Sequence, residues 1–549
     1  MSYEGTHLIQ KARHPAMNTS EVIARFIARA GITHMFGYPG DPTVEFLEGV
    51  RREGGDFVLA TREGMAGFMA QAYGMITGKP GVAVSTLGPG STSLVNPVAN
   101  ALLDRVPMLA ISGQIDTRRL PTFTHQVVDH HALFGPVSKW CADIAPHTAG
   151  HVLRKAWSIA LADRPGPVHL TTPADVVGAP ATDDDIRLPP DRAEAIAGQI
   201  AVAGNTRFAA MIAGARRPVI LYGLSAQRAG AGPAIASLAE HVGAAIVSSP
   251  MTKGLVSEDH PLFAGVVDMA CNQIVWDFLK SADLILAIGF DPVELIKSWT
   301  LQVPVIHIDT VANTDQIYAA DVELIGSIPA LCAFLTTCVP QRAAWQGAEL
   351  AQHRARLRAA YEAGRVAGAL NPTDVIASVR QWAPRNARAT TDIGSHKLLV
   401  GQGWRSFEDK AVLMSNGLSS MGFALPAALV SSLLEPQREA ICFCGDGGMA
   451  MMQPELRTAS ALGLAFKVFV FVDNALNRIE LKQMARQYPS TGTRIEPTDM
   501  GLLARSMGCE GVTVDSQAAL EKVLSGPAPH DRPLVIGVKI DPSQYLAQF

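Results

Sequence analysis

Cysteine is scarce in this sequence, with seven residues among 549, and no two of them form a C-x2-C pair. A small, odd number of cysteines in so long a chain excludes a disulfide framework, and Cys442 and Cys444 are predicted to be buried thiols on one face of a strand. Charged residues are also few, at 17%, and the 46 Lys and Arg nearly balance the 50 Asp and Glu. This balance argues against a nucleic-acid partner. Apolar residues reach 48%, which excludes disorder as the main state.

Long uninterrupted hydrophobic runs are absent. Residues 1–17 are polar and lack the apolar centre of a signal peptide. Two charge-free stretches, Pro80–Leu103 and Ala411–Leu434, have the length of a membrane span, but Gly, Pro, Ser and Asn interrupt both. Such interruptions are typical of buried α/β elements with functional loops. The sequence therefore predicts a soluble, cytoplasmic protein with no membrane partner.

Apolar runs of strand length alternate with helical patterns through almost the whole sequence. This alternation indicates parallel sheets flanked by helices. At roughly 100–200 residues per domain, the length predicts three or four domains. The sequence divides into blocks at residues 16–185, 195–340 and 372–545, separated by a polar linker (182–191) and an Ala/Arg-rich helical segment (341–369). The predicted fold class is α/β, with three doubly wound parallel-sheet domains.

Two acidic residues follow consecutive predicted strands in the third block. The strand Ala440–Cys444 ends in the glycine-rich residues 445–448, a helical pattern follows from Met451, and the strand Lys467–Val472 ends at Asp473. Because the carboxyl ends of parallel strands open on one side of a sheet, we expect the carboxylates of Asp446 and Asp473 to lie near each other. Mg²⁺ takes one or two carboxylates together with ligand phosphates, and a glycine-rich turn lets backbone N–H groups approach phosphate oxygens. The pattern predicts a Mg²⁺–diphosphate site, whereas Gly-Asp-Gly alone would also fit an ordinary βα turn.

This segment resembles the fingerprint of thiamin-diphosphate-dependent enzymes, in which Gly-Asp-Gly is followed by a pair of asparagines. The resemblance implies Mg²⁺ ligands at Asp446, at the second residue of the pair and at a main-chain carbonyl two residues later. In a gapless alignment Asp473 stands at the ligating position, 27 residues after Asp446, and Ala475 supplies the carbonyl. A register one residue later would make Asn474 the ligand. Asp473 is the favoured reading, although it adds a negative charge to the site.

The same resemblance implies further cofactor contacts in the third block. Residues of the Thr391–His396 segment would lie at the diphosphate, the Ser419–Gly422 loop would hold the pyrimidine ring, and Met421 would be the apolar wedge that bends the cofactor. The implied set in this block, besides the metal ligands, is Ile393, Gly394, Ser395, His396, Ser419, Met421, Gly445, Gly447, Gly448 and Leu476.

In the first block, Glu63 falls in the first turn of a helical pattern, where a lone carboxylate would fit a surface cap. The surrounding sequence REGMAGFMAQAYG, followed by GPGSTSLVNPVANALLDRVPMLAISGQ, resembles the pyrimidine-binding domain of the acetolactate synthase branch of this family. The resemblance places Glu63 at the catalytic glutamate, which hydrogen-bonds the aminopyrimidine and favours the imino tautomer that removes the thiazolium C2 proton. It names the three blocks as pyrimidine-binding, central and diphosphate-binding domains.

Other first-block positions follow from the resemblance. Gln126 would lie over the thiazolium ring, and His125, with His130 and His131, would line the same pocket or be structural. Asp41 stands where simple 2-oxo acid decarboxylases keep an acid, or is a turn residue. The implied cofactor-binding residues are Pro39, Gly40, Glu63, Thr86 and Pro89. In this family the positions of Glu63 and Asp446 serve one cofactor from different subunits, which implies a homodimer or a dimer of dimers.

Some residues depart from the acetohydroxyacid synthase pattern. The central-domain stretch Ala287–Glu294 has no arginine, Lys482 stands where a tryptophan is usual, and Ala174 replaces a lysine. No G-x-G-x-x-G motif is present. Because only a cation such as arginine holds a carboxylate through a bidentate fork, these departures argue against the housekeeping synthase and against FAD. They leave open whether the central domain holds any nucleotide.

The resemblance implies an enzyme that uses thiamin diphosphate and Mg²⁺ to form a C2 carbanion or enamine from a pyruvate-like 2-oxo acid. Transfer to an acceptor, as in acetolactate synthase, is the preferred reaction. Simple 2-oxo acid decarboxylation is the alternative, although the decarboxylases' second glutamate is replaced by Ile479, with Glu480 beside it. Sulfoacetaldehyde-type acyl transfer and C–C bond lysis or hydrolysis come third. A non-catalytic cofactor-binding homologue is disfavoured, because Glu63 occurs together with the complete Gly-Asp-Gly loop.

Overall fold

The computed structural model describes residues 17–182, 186–189, 207–343, 345 and 347–549. Within these residues the chain forms three sheets of six parallel strands, each flanked by helices. The predicted α/β class with three parallel sheets is therefore confirmed. The predicted linker at 182–191 and the starts of the first two blocks lie partly or wholly outside the described residues, so the domain boundaries stay predictions.

The first sheet has the strand order β2-β1-β3-β4-β6-β5. Its strands are β1 His34–Gly37, β2 Asp56–Leu59, β3 Gly81–Ser85, β4 Met108–Gln114, β5 Trp140–Asp143 and β6 Pro167–Pro173. Its helices are Thr19–Arg29, Val44–Arg52, Glu63–Thr77, Pro89–Leu103, His130–Phe134, Ala149–Leu161 and Ala174–Val177, with short 3-10 turns at Asp41–Thr43 and Gly135–Val137.

The central sheet has the order β12-β11-β10-β7-β8-β9. Its strands are β7 Pro218–Tyr222, β8 Ala245–Ser248, β9 Phe263–Val266, β10 Leu284–Ile288, β11 Val305–Asp309 and β12 Val322–Ile325. The helices of this part are Arg207–Gly214, Leu224–Arg228, Gly232–Val242, Asn272–Lys280, Ile328–Cys338 and Gly347–Tyr361, with 3-10 turns at Pro250–Thr252 and Pro292–Glu294.

The third sheet has the order β14-β13-β15-β16-β18-β17. Its strands are β13 Arg388–Thr391, β14 Val412–Met414, β15 Ala440–Gly445, β16 Lys467–Val472, β17 Glu510–Val514 and β18 Leu534–Lys539. Its helices are Pro372–Trp382, Ser395–Gly403, Ala424–Leu434, Asp446–Met452, Glu455–Ala461, Asn477–Ala485, Met500–Ser506 and Gln517–Ser525, followed by a 3-10 segment at Pro542–Ala547.

Strand β15 shows why the apolar run at this point forms the centre of a sheet. Cys442 and Cys444 are fully buried against a core shared with the first sheet's helices, whereas Ile441 and Phe443 face the opposite core. The two thiols therefore lie buried on one face of the strand, as predicted. All seven cysteines are free.

Two predicted helices have different limits in the structure. The helix after β15 begins at Asp446 and not at Met451, so the glycine-rich residues form its first turn and not a separate loop. An acidic residue in that turn is favoured by the helix dipole. The Ala/Arg-rich segment is helical over Gly347–Tyr361 only. Gly463, with φ of +67°, lies two residues beyond the helix Glu455–Ala461, a position and conformation typical of glycine after a helix end.

The helix that begins at Glu63 packs against the third sheet's helix Ala424–Leu434. Phe68 and Phe423 meet edge to face, with ring centroids 6.1 Å apart. Among the described residues no helix is long and apolar enough to cross a membrane. The charge-free stretches fold instead into strands and shorter buried helices of the first and third sheets.

Two histidines of the first domain are buried without a charged partner. His130 bonds Thr171 at 3.1 Å, His169 bonds Ser112 at 2.9 Å, and their rings are 5.3 Å apart. One ring nitrogen of each has no hydrogen-bond partner. Burial lowers the pKa of His130 to about 4 and that of His169 well below its usual value. His130 is thus a buried core residue, in line with the structural reading left open for it.

We expect these imidazoles to make folding acid-sensitive. The unfolded chain binds protons at imidazoles near pH 6.5, whereas folded His130 stays neutral to about pH 4, so stability is lost as the pH falls through this window. Between pH 7 and 5, His130→Leu should lose about 2 kcal/mol less unfolding free energy than the wild type. Urea unfolding at several pH values measures this, with His131→Leu, at an exposed neighbour, as the control. Parallel pH dependences in all three proteins would contradict it.

Candidate active site

The predicted first-block residues meet at the carboxyl edge of the first sheet. Thr86 follows β3, and its side chain lies directly against Gly40, where a Cβ would overlap it. The carboxylate of Glu63 lies close to Gly90. A Cβ on Gly90 would be 2.6 Å from Oε1 of Glu63 and 2.8 Å from the methyl group of Thr86. Glu63, Thr86 and Gly40 therefore surround one small space, next to Pro39.

Glu63 is the first residue of its helix and is half-buried. Within the described part of the chain its carboxylate has no hydrogen-bond partner, so it is available to a ligand. Thr61, two residues before it, is attached to the third domain, since it donates its backbone N–H, at 2.9 Å, and its hydroxyl to Oε1 of buried Glu455. The start of the helix Glu63–Thr77 is thus held from outside its own domain.

Gln126 and the helix-start residue Pro89 lie beside this cluster. Gly88 adopts φ of +55°, and a Cβ on it would lie 2.7 Å from the Cβ of Gln126, so only glycine fits between the two segments. The Gln126 side chain is exposed. His125 is also exposed and contacts Phe123, and Asp41 is exposed at the start of a 3-10 turn. Among the described residues no hydrogen bond or ion pair joins His125 or Asp41 to Glu63, so their catalytic roles stay predictions.

In the third sheet the expected pair of carboxylates forms. Strands β15 and β16 are neighbours, with Gly445 in register with Phe471, so Asp446 and Asp473 both follow at the carboxyl edge. Asp446 accepts hydrogen bonds from the backbone N–H of Asn474 at 2.7 Å and of Gly447 at 2.8 Å. Asp473 accepts from the backbone N–H of Ala475 at 3.3 Å.

The two carboxylates repel each other. Burial raises the pKa of Asp446, and burial together with the charge of Asp446 raises the pKa of Asp473 to about 7. Burial and a neighbouring like charge both disfavour the ionised form of a carboxyl group. Asn474, at φ of +53°, contributes its backbone to Asp446. No described group of three or more Asp, Glu, His or Cys residues forms a complete metal cage, so a cation here needs further ligands.

Glycines keep the space beside this pair open. His396 lies against both Gly394 and Gly445, is stacked on Phe471 and has an unpartnered, buried Nε2. Burial lowers the pKa of His396 to about 3, so the ring is neutral. A Cβ on Gly447 would lie 3.0 Å from the Leu476 side chain. The Ser395 hydroxyl donates to Asn477 at 2.8 Å, which joins the Ile393–His396 segment to the loop after β16.

Met421 lies near the same helix start, because its Cε would be 3.9 Å from a Cβ on Gly447. The loop that carries it is held by Asp392, whose Oδ1 accepts from the backbone N–H of Gly422 at 2.9 Å and of Phe423 at 3.0 Å. The other oxygen, Oδ2, is buried, has no hydrogen-bond partner and lies against Gly448. Burial raises the pKa of Asp392 to about 6.

The structure thus brings the predicted residues together as two clusters. In the described part of one chain, no hydrogen bond or ion pair joins Glu63 to the cluster around Asp446. Sequence reasoning did not single out Asp392, although its place directly after β13 could have indicated it. Sequence reasoning also missed the ion pairs of Asp291 with Arg105, at 2.9 Å, and with Arg164, at 3.2 Å. Two arginines of the first domain thus reach the central-domain stretch Ala287–Glu294, which contains no arginine.

Three families of thiamine pyrophosphate enzyme domains match the chain: the N-terminal TPP-binding domain at residues 17–133, the central domain at 206–335 and the C-terminal TPP-binding domain at 392–538. The chain belongs to the thiamine pyrophosphate enzymes, in the acetolactate synthase-like branch, as predicted. It is therefore a thiamin-diphosphate-dependent enzyme.

Individual relatives match nearly the whole length. The catabolic acetolactate synthase of Raoultella terrigena is 30% identical over 97% of this chain and 97% of its own length. The acetolactate synthase of Bacillus subtilis is 28% identical over 96% of this chain and 94% of its own. A probable 2-ketoarginine decarboxylase of Pseudomonas aeruginosa is 29% identical over 92% and 90%.

The residues present fit the cofactor of this family. Asp446 and Asp473 supply hard oxygen donors for a divalent cation. The cradle at Gly447 and the unpartnered Nε2 of His396 leave room and a polar atom for a diphosphate, and Glu63 offers a free carboxylate at the other cluster.

The crowding at Gly448 generates a stability prediction. A Cβ there would overlap the Asp392 carboxylate, which is fixed by two backbone N–H groups, whereas a Cβ on Gly447 meets only flexible ends of Ile495 and Leu476 at 3.0 Å. Gly448→Ala should therefore lower the unfolding free energy of the cofactor-free protein by about 1–3 kcal/mol, and Gly447→Ala by less. Thermal unfolding without cofactor measures both. A Gly447→Ala variant as unstable as Gly448→Ala would contradict this packing.

Proposed function

We propose that the protein is a Mg²⁺-dependent carboligase that takes a two-carbon or larger fragment from a pyruvate-like 2-oxo acid and joins it to an acceptor. When bound, thiamin diphosphate supplies a carbon nucleophile able to attack a carbonyl group. The observation that supports the proposal most is the coexistence of an unpaired Glu63 carboxylate with the Asp446–Asp473 pair, in a chain similar to acetolactate synthases over its whole length.

Glu63 would hold a proton against the pyrimidine ring. Its position at a helix start, half-buried and without an internal partner, leaves both oxygens able to accept or share a proton with a bound ring. Thr86 and Gly90 limit where the carboxylate can move. Gln126, exposed next to Gly88, would face the reacting end of the cofactor, and His125 and Asp41 are proposed to lie on the substrate side.

Asp446, Asp473 and the Ala475 carbonyl would hold Mg²⁺, which would offset the negative charge of a bound diphosphate. The charge of Asp446 raises the pKa of Asp473, so the two carboxylates lie close enough to interact. Asn474, in contrast, contacts Asp446 through its backbone N–H. This difference supports Asp473 as the ligand. A divalent cation would remove the repulsion between the two carboxylates. The phosphate oxygens would contact His396, Gly445 at the end of β15, and Gly447 and Gly448 in the first turn of the following helix.

Two copies of the chain would complete each site. Within the described part of one chain, no hydrogen bond or ion pair joins the cluster around Glu63 to the cluster around Asp446. Both residues nevertheless carry groups suited to one cofactor. Pairing of chains would allow the first domain of one copy to face the third domain of the other. We therefore propose a homodimer, or a dimer of dimers, as the active form, and no requirement for FAD.

Simple decarboxylation is a second candidate, and the similarity to a probable 2-ketoarginine decarboxylase favours it. Product analysis by mass spectrometry, with a panel of 2-oxo acids and with or without aldehyde or 2-oxo acid acceptors, distinguishes the two. Carboligation predicts a ligated hydroxy ketone or hydroxy-oxo acid that depends on the acceptor. Free aldehyde as the sole product would support the decarboxylase instead.

Glu63→Gln should retain cofactor binding and lose turnover. The amide keeps the size of the side chain but cannot share a proton, and general acid–base catalysis contributes on the order of a hundredfold or more. Steady-state rates and calorimetric titration with thiamin diphosphate and Mg²⁺ measure the two effects separately. Glu45→Gln, at an exposed first-turn glutamate of the same domain, is the matched control. Turnover unchanged in Glu63→Gln would refute the assigned role.

Asp446→Ala should abolish Mg²⁺-dependent cofactor binding, since the diphosphate loses its link to the protein. Asp473→Ala should weaken binding much more than Asn474→Ala if the gapless register is right. Calorimetry at fixed Mg²⁺ gives the three dissociation constants, with the exposed Asp515→Ala as a control. Wild-type affinity in Asp446→Ala would defeat the metal assignment, and a larger loss in Asn474→Ala would move the ligand by one residue.

A further inference from the structure

Lys397 is a buried cation next to the cofactor cluster. It is the third residue of the helix Ser395–Gly403, directly after His396, and only 3% of it is exposed. A lysine in the first turn is disfavoured by the helix dipole, and burial of an ammonium is costly unless its hydrogen bonds are made. The structure must therefore supply strong partners to hold Lys397 in place.

Among the described residues, the hydrogen bonds of the Lys397 ammonium all go to one loop. The Nζ atom donates to the backbone carbonyl of Ser415 at 2.7 Å, to Oδ1 of Asn416 at 3.0 Å and to the hydroxyl of Ser419 at 3.5 Å. This segment, residues 415–421, leads from β14 to Met421 and is called the wedge loop below. The Lys397 side chain, on the helix Ser395–Gly403, thus contacts three residues of the wedge loop.

The wedge loop contains a residue in a conformation that favours glycine. Ser419 has φ of +57°, and its hydroxyl donates to the Asn416 carbonyl at 2.9 Å while it faces Lys397. A non-glycine residue persists in this region only where its surroundings fix it. The contacts to Ser419 and Asn416 therefore determine the path of the loop.

The first domain holds the same loop from the other side. Buried Asp104 accepts through Oδ1 from the backbone N–H of Asn416 at 3.0 Å and of Gly417 at 2.7 Å. Its Oδ2 accepts from Gln71 at 2.9 Å and Asn100 at 3.2 Å. Burial lowers the pKa of Lys397. The negative charge of Asp104 is the largest factor that raises this pKa, followed by the charge of Asp392. The loop thus lies between a buried cation and a buried anion.

We propose that Lys397 is a positioning residue for the cofactor: its ammonium fixes the wedge loop, and through it Met421, relative to the glycine-rich start of the helix Asp446–Met452. The inference rests on the proposed thiamin-diphosphate site. Met421 is the part of the loop nearest that helix start, and Asp392 holds the far end of the loop at Gly422 and Phe423. At the near end Lys397 holds the Ser415 carbonyl and the Asn416 side chain, while Asp104 holds the backbone N–H groups of Asn416 and Gly417.

The test uses the full-length protein, thiamin diphosphate and Mg²⁺. Lys397→Met keeps the aliphatic chain but loses three contacts of a charged donor, so its cofactor dissociation constant should rise roughly tenfold or more, as measured by calorimetry. Lys410→Met is the matched control, because Lys410 is a desolvated lysine that donates to the Ile76 carbonyl, outside the wedge loop. It should bind cofactor as the wild type does.

A double variant separates positioning from charge balance. In Lys397→Met the Asp104 charge is left without its counter-charge, whereas Lys397→Met/Asp104→Asn buries neither charge and should recover most of the lost thermal stability. If Lys397 positions the wedge loop, the double variant still binds the cofactor about tenfold more weakly than both the wild type and the Asp104→Asn single variant, which keeps Lys397. Recovery of both stability and cofactor affinity would show that Lys397 only balances Asp104 and would overturn the inference. If Lys397→Met alone does not fold, the double variant carries the test.

The outcomes distinguish this inference from the proposed function. A wild-type protein that takes up no thiamin diphosphate at any Mg²⁺ concentration would refute the proposed function. A wild type that binds, together with a Lys397→Met variant whose dissociation constant lies within twofold of it, would refute the positioning role alone.

Discussion

The repulsion between the carboxylates of Asp446 and Asp473 constrains the third domain. Both side chains stand at the carboxyl edge of adjacent strands, are largely buried and receive only backbone N–H groups as partners. Two such groups cannot both carry a charge at low cost without a cation between or beside them. The glycines of the following helix turn keep the neighbouring space free, so the cation can be shared with an anionic ligand. The carboxylate pair and the open space beside it suit the Mg²⁺–diphosphate site proposed above.

A second constraint is that the two ends of the cofactor need different environments. The first domain offers Glu63 without an internal partner, and the third domain offers oxygen ligands, a neutral buried His396 and an apolar Met421. Contacts between the domains keep these parts in fixed relation within the chain: Glu455 holds Thr61, and Asp104 holds the wedge loop. Each half of the proposed site is thus tied to the rest of its own chain by the buried carboxylates of Glu455 and Asp104, which bond across a domain boundary.

The sequence predicted the three-sheet α/β architecture, because apolar runs and helical patterns alternate regularly, and it predicted which strand ends carry Asp446 and Asp473. It placed Glu63, Gly40 and Thr86 near one another only through the family resemblance. It misplaced the start of the helix at residue 446, because glycines read as a turn and not as a packed first turn. It gave no sign that Lys397 and Asp104 are buried partners of one loop, since charged residues at helix ends are usually solvated. It left open whether His130 is structural or lines a pocket, since one histidine has no periodicity.

The most direct test of the account is whether both domains act on one bound cofactor. The wild-type protein is incubated with thiamin diphosphate and Mg²⁺ in D₂O, quenched in acid, and exchange of the cofactor C2 proton is followed by NMR. The account predicts exchange at least a hundredfold faster than in free thiamin diphosphate, and only when Mg²⁺ is present. Exchange no faster than in the free cofactor, at a concentration that saturates binding, would contradict it.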